Sequence, residues 1–467
     1  MKKSFLNCSS LFAFFMFLLV CFIAFNSNGQ ATKNAGSNNL ASPPLGWNSW
    51  DSYGMYPTEK AMLANLEVMA KRLKPLGYTY FTIDAGWNKI KDADNKIVGM
   101  SMDKYCRYIA NKETFPNGLK AVADKAHALG LKFGIHIMRG IPREAYKQTL
   151  PISGTSYTAH DIGDTTSTCT WNKDNYGVDM KKQGAQAYYD SYIGQLISWG
   201  VDFIKADDIT TFPAEVQAVK KAIKKTGKRV VLSLSPGEGS DVKNVAAYNE
   251  GDMLRVTKDI WDNQQSFTRA FDAWKKWADV QGRTFWLDMD MIPFGHLCLH
   301  NPDPDYLTAD NKKEGEKNVR GKERMSAFTQ DEKYTFITLR ALSASPLIMG
   351  GDLPTSDEFS FKLITNKDVL NCNQNGVVGK LVYNKDGIEV WKTADKSNPQ
   401  KGWLGIFNRN ENQEKRVILT LKDLKVSGKK LSLYDVWNDN NLKAITEKMP
   451  ATNTVNANGV IFCKYTL

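Results

Sequence analysis

Residues 201–208 read VDFIKADD. Val201 to Ile204 are apolar and suited to a strand, and the run ends abruptly in Lys205, Asp207 and Asp208. A buried strand that stops in a lysine and two carboxylates has carried charge to the rim of a core. In a barrel of alternating strands and helices, the carboxyl ends of the strands are where chemistry is done. Residues 254–262, LRVTKDIWD, repeat the pattern with Arg255 and Asp259. Two strand ends that each deliver an aspartate suit the paired carboxyl groups that cleave a glycosidic bond.

Working outward, the same unit recurs. Strands are expected within SPPLGWNSWDSYG (42–54), YTYFTIDAGW (78–87), LKFGIHIM (131–138), RVVLSLS (229–235), DMLRV (252–256), RTFWLDMDM (283–291) and SPLIMGGDL (345–353). Between them lie helical stripes: Met62, Leu66, Met69 and Leu73; Tyr188, Tyr189, Tyr192 and Leu196; Val216, Val219 and Ile223. Thr329 with Glu332 reads as a capping box opening a helix through Leu342. Strands alternating with helices run parallel, and eight such strands predict an α/β fold, a closed (β/α)8 TIM barrel over residues 42–375. An open doubly wound sheet is the alternative, but no Gly-rich phosphate loop follows the first strand. Two segments break the rhythm, 139–183 after the third strand and 296–328 after the seventh. Both leave from strand ends and are expected to shape access to the pocket. From residue 376 the helices stop. Short strands separated by turns such as Lys385-Asp386-Gly387 predict a small antiparallel β-sandwich over 376–467.

The first thirty residues read as a secretory signal: Lys2 and Lys3, then an apolar run from Leu11 to Phe25, then a polar stretch. A lipoprotein anchor at Cys21 is disfavoured because Val20 stands where a small residue is wanted. Residues 31–41 form a polar, flexible lead-in. The expected product is secreted or periplasmic and, after cleavage, not membrane-bound. Net charge is +11 and becomes +9 without Lys2 and Lys3. The excess is spread over helices, as at Lys220, Lys221, Lys224 and Lys225, rather than interleaved with aromatics, so no nucleic-acid partner is expected. Five cysteines follow the signal: Cys106, Cys169, Cys298, Cys372 and Cys463. The odd number leaves one unpaired, and a bridge between Cys106 and Cys169 is the first expectation in an oxidising compartment. Sequence does not fix the oligomeric state.

Asp207 and Asp259 carry the chemistry. Lys205 lies two residues before Asp207 and so on the same side of the strand. A nearby cation favours an ionised carboxylate, which a nucleophile needs, while the partner must be protonated to serve a leaving oxygen. Asp207 is read as nucleophile and Asp259 as acid/base, an order that residue spacing alone does not fix, with the two carboxyl groups expected ~5–5.5 Å apart. Asp208 reads as a cap. Asp84, Asp288 and Asp290 lie at other strand ends and suggest carboxylates arranged around a polyol. His136 reads either as a core histidine or as part of the pocket, and its neighbours in strand order favour the pocket. Trp47 and Trp50, three apart, would face opposite ways on a strand: one packs, the other can stack on a sugar ring. His296, Cys298 and His300 are too closely spaced for a zinc site and lack a fourth ligand, so a loop or disulfide role is expected there, with no metal or cofactor.

PPLGWNSW (43–50), IDAGW (83–87), the KAD of 205–207, Arg255 with Asp259 four residues on, DMDM (288–291) and SASPLIMGGDL (343–353) occur in the order found in glycoside hydrolase family 27. The chain resembles that family, which includes the α-galactosidases or melibiases, from about residue 42 to its end. The resemblance implies a retaining reaction on terminal α-linked galactose of oligo- or polysaccharides. It also implies Asp207 as nucleophile, Asp259 as acid/base, and sugar contacts from Trp50, Asp84, His136, Lys205, Arg255 and Asp290. Two departures stand out. The galactosidases of the family usually end the second strand in adjacent aspartates, where this chain has Asp84 and Ala85, and His136 stands where tyrosine is common. The SLSPGE loop (233–238) and the insertion after the third strand resemble a branch containing β-L-arabinopyranosidases. A β-L-arabinopyranoside is an α-D-galactoside without its hydroxymethyl group. That activity and an isomalto-dextran-cleaving one stay open, as does, from another class, a sugar-binding protein on a scaffold that no longer hydrolyses.

Overall fold

The computed structural model describes residues 40–236, 239–299 and 321–467. The expected signal at 1–30, the expected lead-in as far as residue 39, His300 and most of the 296–328 insertion lie outside the described residues, as do Gly237 and Glu238 of the SLSPGE loop. Residues 40–467 form one compact unit.

Eight parallel strands form the first layer: β1 (Leu45–Asn48), β2 (Tyr80–Ile83), β3 (Lys132–Met138), β4 (Val201–Asp207), β5 (Val231–Leu234), β6 (Met253–Arg255), β7 (Trp286–Asp288) and β8 (Leu347–Met349). They pair in chain order, with β8 beside β1. A parallel bridge from Ile292, just past β7, to Met349 of β8 joins the two ends of the curled sheet. The expected barrel is therefore present, and an open doubly wound sheet is excluded by strand order.

The two-residue repeat explains what lies inside. Phe203, Lys205 and Asp207 share one face of β4, while Ile204 and Ala206 face the helices. Phe203 packs with Val231 and Met253, flanked by Tyr80 and Trp286, as an apolar plug at the strands' amino ends. One step along each strand the interior turns polar: Lys205 is paired in register with His136 on one side and Ser233 on the other. Gly134 keeps this waist narrow, since a Cβ there would meet Thr82 Oγ1 at 2.4 Å.

Helices α1 (Glu59–Val68), α2 (Gly118–Ala128), α3 (Ala185–Ser198), α4 (Pro213–Lys225), α5 (Gln264–Trp277) and α6 (Gln330–Leu342) surround the sheet. Two shorter ones, α7 (Glu358–Ile364) and α8 (Lys367–Gln374), follow β8. The capping box at Thr329 and Glu332 forms as expected. The 139–183 segment is not featureless: Ile141–Pro142, Gly163–Thr168 and Asn175–Val178 make a three-stranded sheet of their own. A hairpin at Lys89–Lys91 and Ile97–Met100, not anticipated from the sequence, follows β2.

The C-terminal strands are β9 (Lys380–Lys385), β10 (Ile388–Ala394), β11 (Lys401–Asn408), β12 (Lys415–Leu419), β13 (Lys430–Asp435), β14 (Asn440–Thr446), β15 (Ala451–Val455) and β16 (Val460–Thr466). Six form one antiparallel sheet in the order β9-β10-β11-β16-β13-β14, and β12 pairs with β15 against it. Val390, Leu404, Ile406, Val417 and Leu419 fill the space between the sheets. This layer is welded to the barrel helices: Trp391 of β10 stacks on Trp274 of α5 at 3.8 Å, and Phe407 meets Phe271 edge-on at 5.2 Å.

Two sequence expectations are corrected. Trp50 is not on a strand. β1 ends at Asn48, and Trp50 opens a single helical turn, Trp50–Tyr53. Trp47 is fully buried against Phe81, while Trp50 is part-exposed beside Trp261, Leu297 and Cys298. The disulfide between Cys106 and Cys169 is not formed; all five described cysteines are free and buried. Cys106 Sγ donates to the carbonyls of Leu150 and Pro151 at 3.5 Å, and the Cys169 thiol lies near the Asp208 carboxylate, so neither thiol faces the other.

Candidate active site

The carboxyl ends of the eight strands converge on a charged floor. Asp207, the last residue of β4, is 8% exposed. His136 Nε2 of β3 donates to its Oδ2 at 3.2 Å, and the amide of Asp208 donates to its Oδ1 at 3.2 Å. Burial alone would raise the pKa of this carboxyl. The His136 hydrogen bond and the charges of Lys205 and Arg255 outweigh burial and hold it well below the usual carboxylate range.

Lys205 stands between two acids. Its Nζ donates to Asp84 Oδ2 at 2.8 Å, and Asn48 Nδ2 donates to the same oxygen at 2.8 Å. Burial opposes the lysine's charge, but Asp84 and then Asp207 more than restore it, so the ammonium is held firmly. Asp84 is likewise kept ionised: burial pushes its pKa up, and Lys205 and His136 bring it below normal.

Arg255 bridges the other side. Its Nη2 lies 2.9 Å from Asp259 Oδ1 and its Nη1 donates to Asp290 Oδ1 at 3.2 Å. Asp290 is anchored besides by the amide of Ile260 on Oδ2 at 2.9 Å, and its own amide donates to Asp288 Oδ1 at 2.8 Å. Asp259 sits four residues beyond Arg255 in the loop after β6, with its side chain 42% exposed at the pocket mouth. Protein surrounding it pushes its pKa up. Arg255 opposes this, but Asp290 and Asp207 add to it, and the net shift is upward. Asp288 is pushed up to about 6, chiefly by burial and then by Asp290.

Asp207, Asp259, Asp84, His136, Lys205, Arg255 and Asp290 are thus drawn into one continuous network. Trp50 offers an aromatic face nearby. Asp208 does more than cap: it pairs with Arg139 at 2.9 Å. The cluster at 296–300 resolves in part. His296 Nδ1 is 2.7 Å from Thr355 Oγ1 and its Nε2 is 3.1 Å from Glu323, while Cys298 Sγ accepts from Arg324 Nη1 at 3.3 Å.

Sequence reading missed several supports. Asn48 holds Asp84, and its position at the end of β1 was the available signal. Arg340, fully buried, donates its guanidinium to the carbonyls of Met289, Asp290 and Met291 and so fixes the turn that presents Asp290. Asp51 is 1% exposed, and among the described residues neither of its carboxyl oxygens has a hydrogen-bond partner. Burial, then Asp290 and Asp259, push its pKa well above normal and so disfavour its charged form.

Beside Ala85 and His136 lies a small, partly open void lined also by Met55, Met138, Asn172 and Asp174, with room of about 20 Å³. That holds about one water molecule. Ala85 does not extend a polar group into it, and Lys89 ion-pairs with Asp174 at 2.5 Å on its wall.

Residues 37–233 match the family model named Melibiase. Alpha-galactosidase 2 of Arabidopsis thaliana is 27% identical over 386 residues, which cover 81% of this chain and 79% of the plant protein. The crystal structure of a GH27 β-L-arabinopyranosidase from Geobacillus stearothermophilus is 37% identical, with a TM-score of 0.82, covering 92% of this chain and 97% of that one. Alpha-galactosidase I from Mortierella vinacea, 21% identical with a TM-score of 0.65, shares the fold over 92% of this chain and 98% of its own. A carboxylate pair on a barrel floor, a sandwich welded behind it and this extent of likeness lead to one assignment: the chain belongs to glycoside hydrolase family 27.

Proposed function

We propose that this protein is a retaining exo-glycosidase that removes terminal α-linked galactose from oligo- or polysaccharides. The observation that carries the reading is the contrasting pair, Asp207 braced with its pKa held low and Asp259 part-exposed with its pKa raised, both in the field of Arg255. Asp207 attacks the anomeric carbon while Asp259 protonates the departing glycosidic oxygen. A glycosyl ester on Asp207 results. Asp259, now ionised, takes a proton from water as the water attacks the ester, and the sugar leaves with its anomeric configuration retained. Asp84, Lys205, Arg255, His136 and Asp290 hold the sugar hydroxyls, and Trp50 stacks on its apolar face. Alpha-galactosidases among the curated relatives support this reading.

A second substrate is favoured by a specific feature. Ala85 supplies no carboxylate to accept from an exocyclic hydroxymethyl group, where galactosidases of the family usually have a second aspartate. A pyranose with the galactose ring configuration but without that carbon, a β-L-arabinopyranoside, fits the same floor. The Geobacillus stearothermophilus relative is a β-L-arabinopyranosidase, which supports this reading. The apolar run at 11–25 supports export as the setting for either substrate.

The test is a comparison of kcat/KM on aryl α-D-galactoside, aryl β-L-arabinopyranoside and aryl α-D-glucoside, with Asp207→Ala as control. Turnover of either galacto-configured substrate, lost in the variant, is expected. Preference for the glucoside, or unchanged turnover in Asp207→Ala, would contradict the proposal. Binding of free sugar without any hydrolysis would support the non-catalytic alternative instead.

A further inference from the structure

One buried cation at the barrel rim takes no part in the sugar chemistry above. Arg139 follows β3 directly and is 3% exposed. Its Nε donates to the backbone carbonyl of Asp208 at 2.9 Å and to Asp208 Oδ2 at 3.1 Å, and its Nη2 donates to the same carboxylate oxygen at 2.9 Å. Nη1 reaches Glu215 Oε1 at 2.6 Å and Ser167 Oγ at 3.1 Å. The guanidinium lies flat on Phe212, 3.4 Å from the ring centre. Gly177 is required beside it, because a Cβ there would stand 2.5 Å from Nη1.

What this grip controls is the residue after Asp207. Asp208 has φ +59°, a left-handed conformation that a residue with a side chain adopts rarely. Its amide, in the peptide that joins it to Asp207, donates to Asp207 Oδ1. The Arg139 amide donates to the Asp207 carbonyl of that same peptide at 2.9 Å. We propose that Arg139 is a positioning residue: its amide holds the Asp207–Asp208 peptide while its guanidinium holds the carbonyl and the carboxylate of Asp208, which together fix the left-handed turn by which the chain leaves the nucleophile. Ser167 belongs to the insertion after β3, so the guanidinium also ties that insertion to the turn after the nucleophile. A planar fork can grip two oxygens of Asp208 and reach Glu215 at once; an ammonium cannot.

The role rests on Asp207 as nucleophile, and the test separates the two claims. The probes are 2,4-dinitrophenyl α-D-galactoside and β-L-arabinopyranoside, whose leaving group needs no acid, so that the first step reads the nucleophile alone. Arg139→Met is expected to lower kcat/KM about a hundredfold, while inhibition by free galactose or L-arabinose changes by less than about threefold. Glycine reaches positive φ without strain and alanine does not. Adding Asp208→Gly to Arg139→Met should therefore recover tenfold or more, and adding Asp208→Ala should recover little, although both remove the same charge. Equal recovery in the two double variants would mean that Arg139 only neutralises carboxylates, and would overturn the proposal, as would a wild-type rate in Arg139→Met. Should Arg139→Met not fold, the single variants decide: Asp208→Gly should exceed Asp208→Ala at least threefold, and equal rates would overturn the role. Unchanged turnover in Asp207→Ala would instead remove the nucleophile assignment and this role with it.

Discussion

The two sides of the pocket use the same amino acid for opposite ends. Asp207 ends a strand paired in register with β3, is nearly buried, and has each oxygen held by a donor. Asp259 stands four residues past its strand, is 42% exposed and has Arg255 on one oxygen. Both have a cation beside them, yet one pKa moves down and the other up. The difference lies in the count of donors against the count of neighbouring acids. Asp207 faces His136, Lys205 and Arg255, whereas Asp259 has Asp290 and Asp207 raising it against Arg255 and Lys205. Pairs of carboxyl groups driven apart in this way divide naturally into an ionised nucleophile and a proton carrier.

The largest expected effect tests the braced side. Asp207→Ala should lower turnover by ~10⁴-fold or more whatever the leaving group, measured on aryl glycosides of high and low leaving-group acidity. Asp259→Ala should behave differently. A loss of ~10²–10⁴-fold is expected where the leaving group needs a proton, with a much smaller loss in the first step for dinitrophenyl substrates. Equal losses across leaving groups in both variants would erase the distinction between the two sides. The same contrast has a pH form. Activity needs Asp259 protonated, so kcat/KM should fall as pH rises through its elevated pKa, and Asp259→Ala should abolish that alkaline limb.

A more selective probe is His136→Phe, which removes one of the two donors on Asp207 and leaves the hydrogen bonds of Asp259 intact. A drop of about tenfold in kcat/KM is expected from the lost charge-assisted bond. The acid limb, where Asp207 becomes protonated, should move to higher pH while the alkaline limb stays. Movement of both limbs together would show that the sides are not separately tuned.

The smallest effect concerns Asp288, whose pKa is pushed up to about 6. Its folded-state pKa exceeds the unfolded value, so a penalty against folding begins as pH rises past about 3.8 and is complete above about pH 6. Asp288→Asn keeps an oxygen for the Asp290 amide and removes that penalty. Tm at pH 7.5 should rise by about 2–4 °C, and the gain should shrink steadily as pH falls from 6 towards 4. A loss of stability at pH 7.5 would show that Asp288 is needed as an anion for Arg255 and Arg340.

Much of this was legible in the sequence because it depends on short-range periodicity. The two-residue repeat of 201–207 places Phe203 in the plug and Lys205 and Asp207 above it, and the same repeat delivers Asp84, His136, Arg255 and Asp290. Helical stripes between the strands made the parallel order readable. Features that depend on distant residues were not. Trp50 reads as strand because nothing local announces that β1 stops at Asn48. Cys106 and Cys169 looked like partners only because their surroundings, the Leu150 and Pro151 carbonyls and Asp208, come from other elements. Arg139 shows the limit most sharply. In sequence it is one arginine opening a long insertion, and only folding brings Asp208, Glu215, Ser167 and Phe212 around it.

The most direct test of the account is to find which side chain carries the sugar. A galacto-configured glycoside with a reactive leaving group, slowed by fluorine on the carbon next to the anomeric centre, should accumulate a covalent intermediate. Mass spectrometry of the digested protein should place that sugar on Asp207, and NMR of the product first released from an ordinary aryl glycoside should show the starting anomeric configuration. A label on Asp259, or an inverted product with no covalent intermediate, would contradict the account.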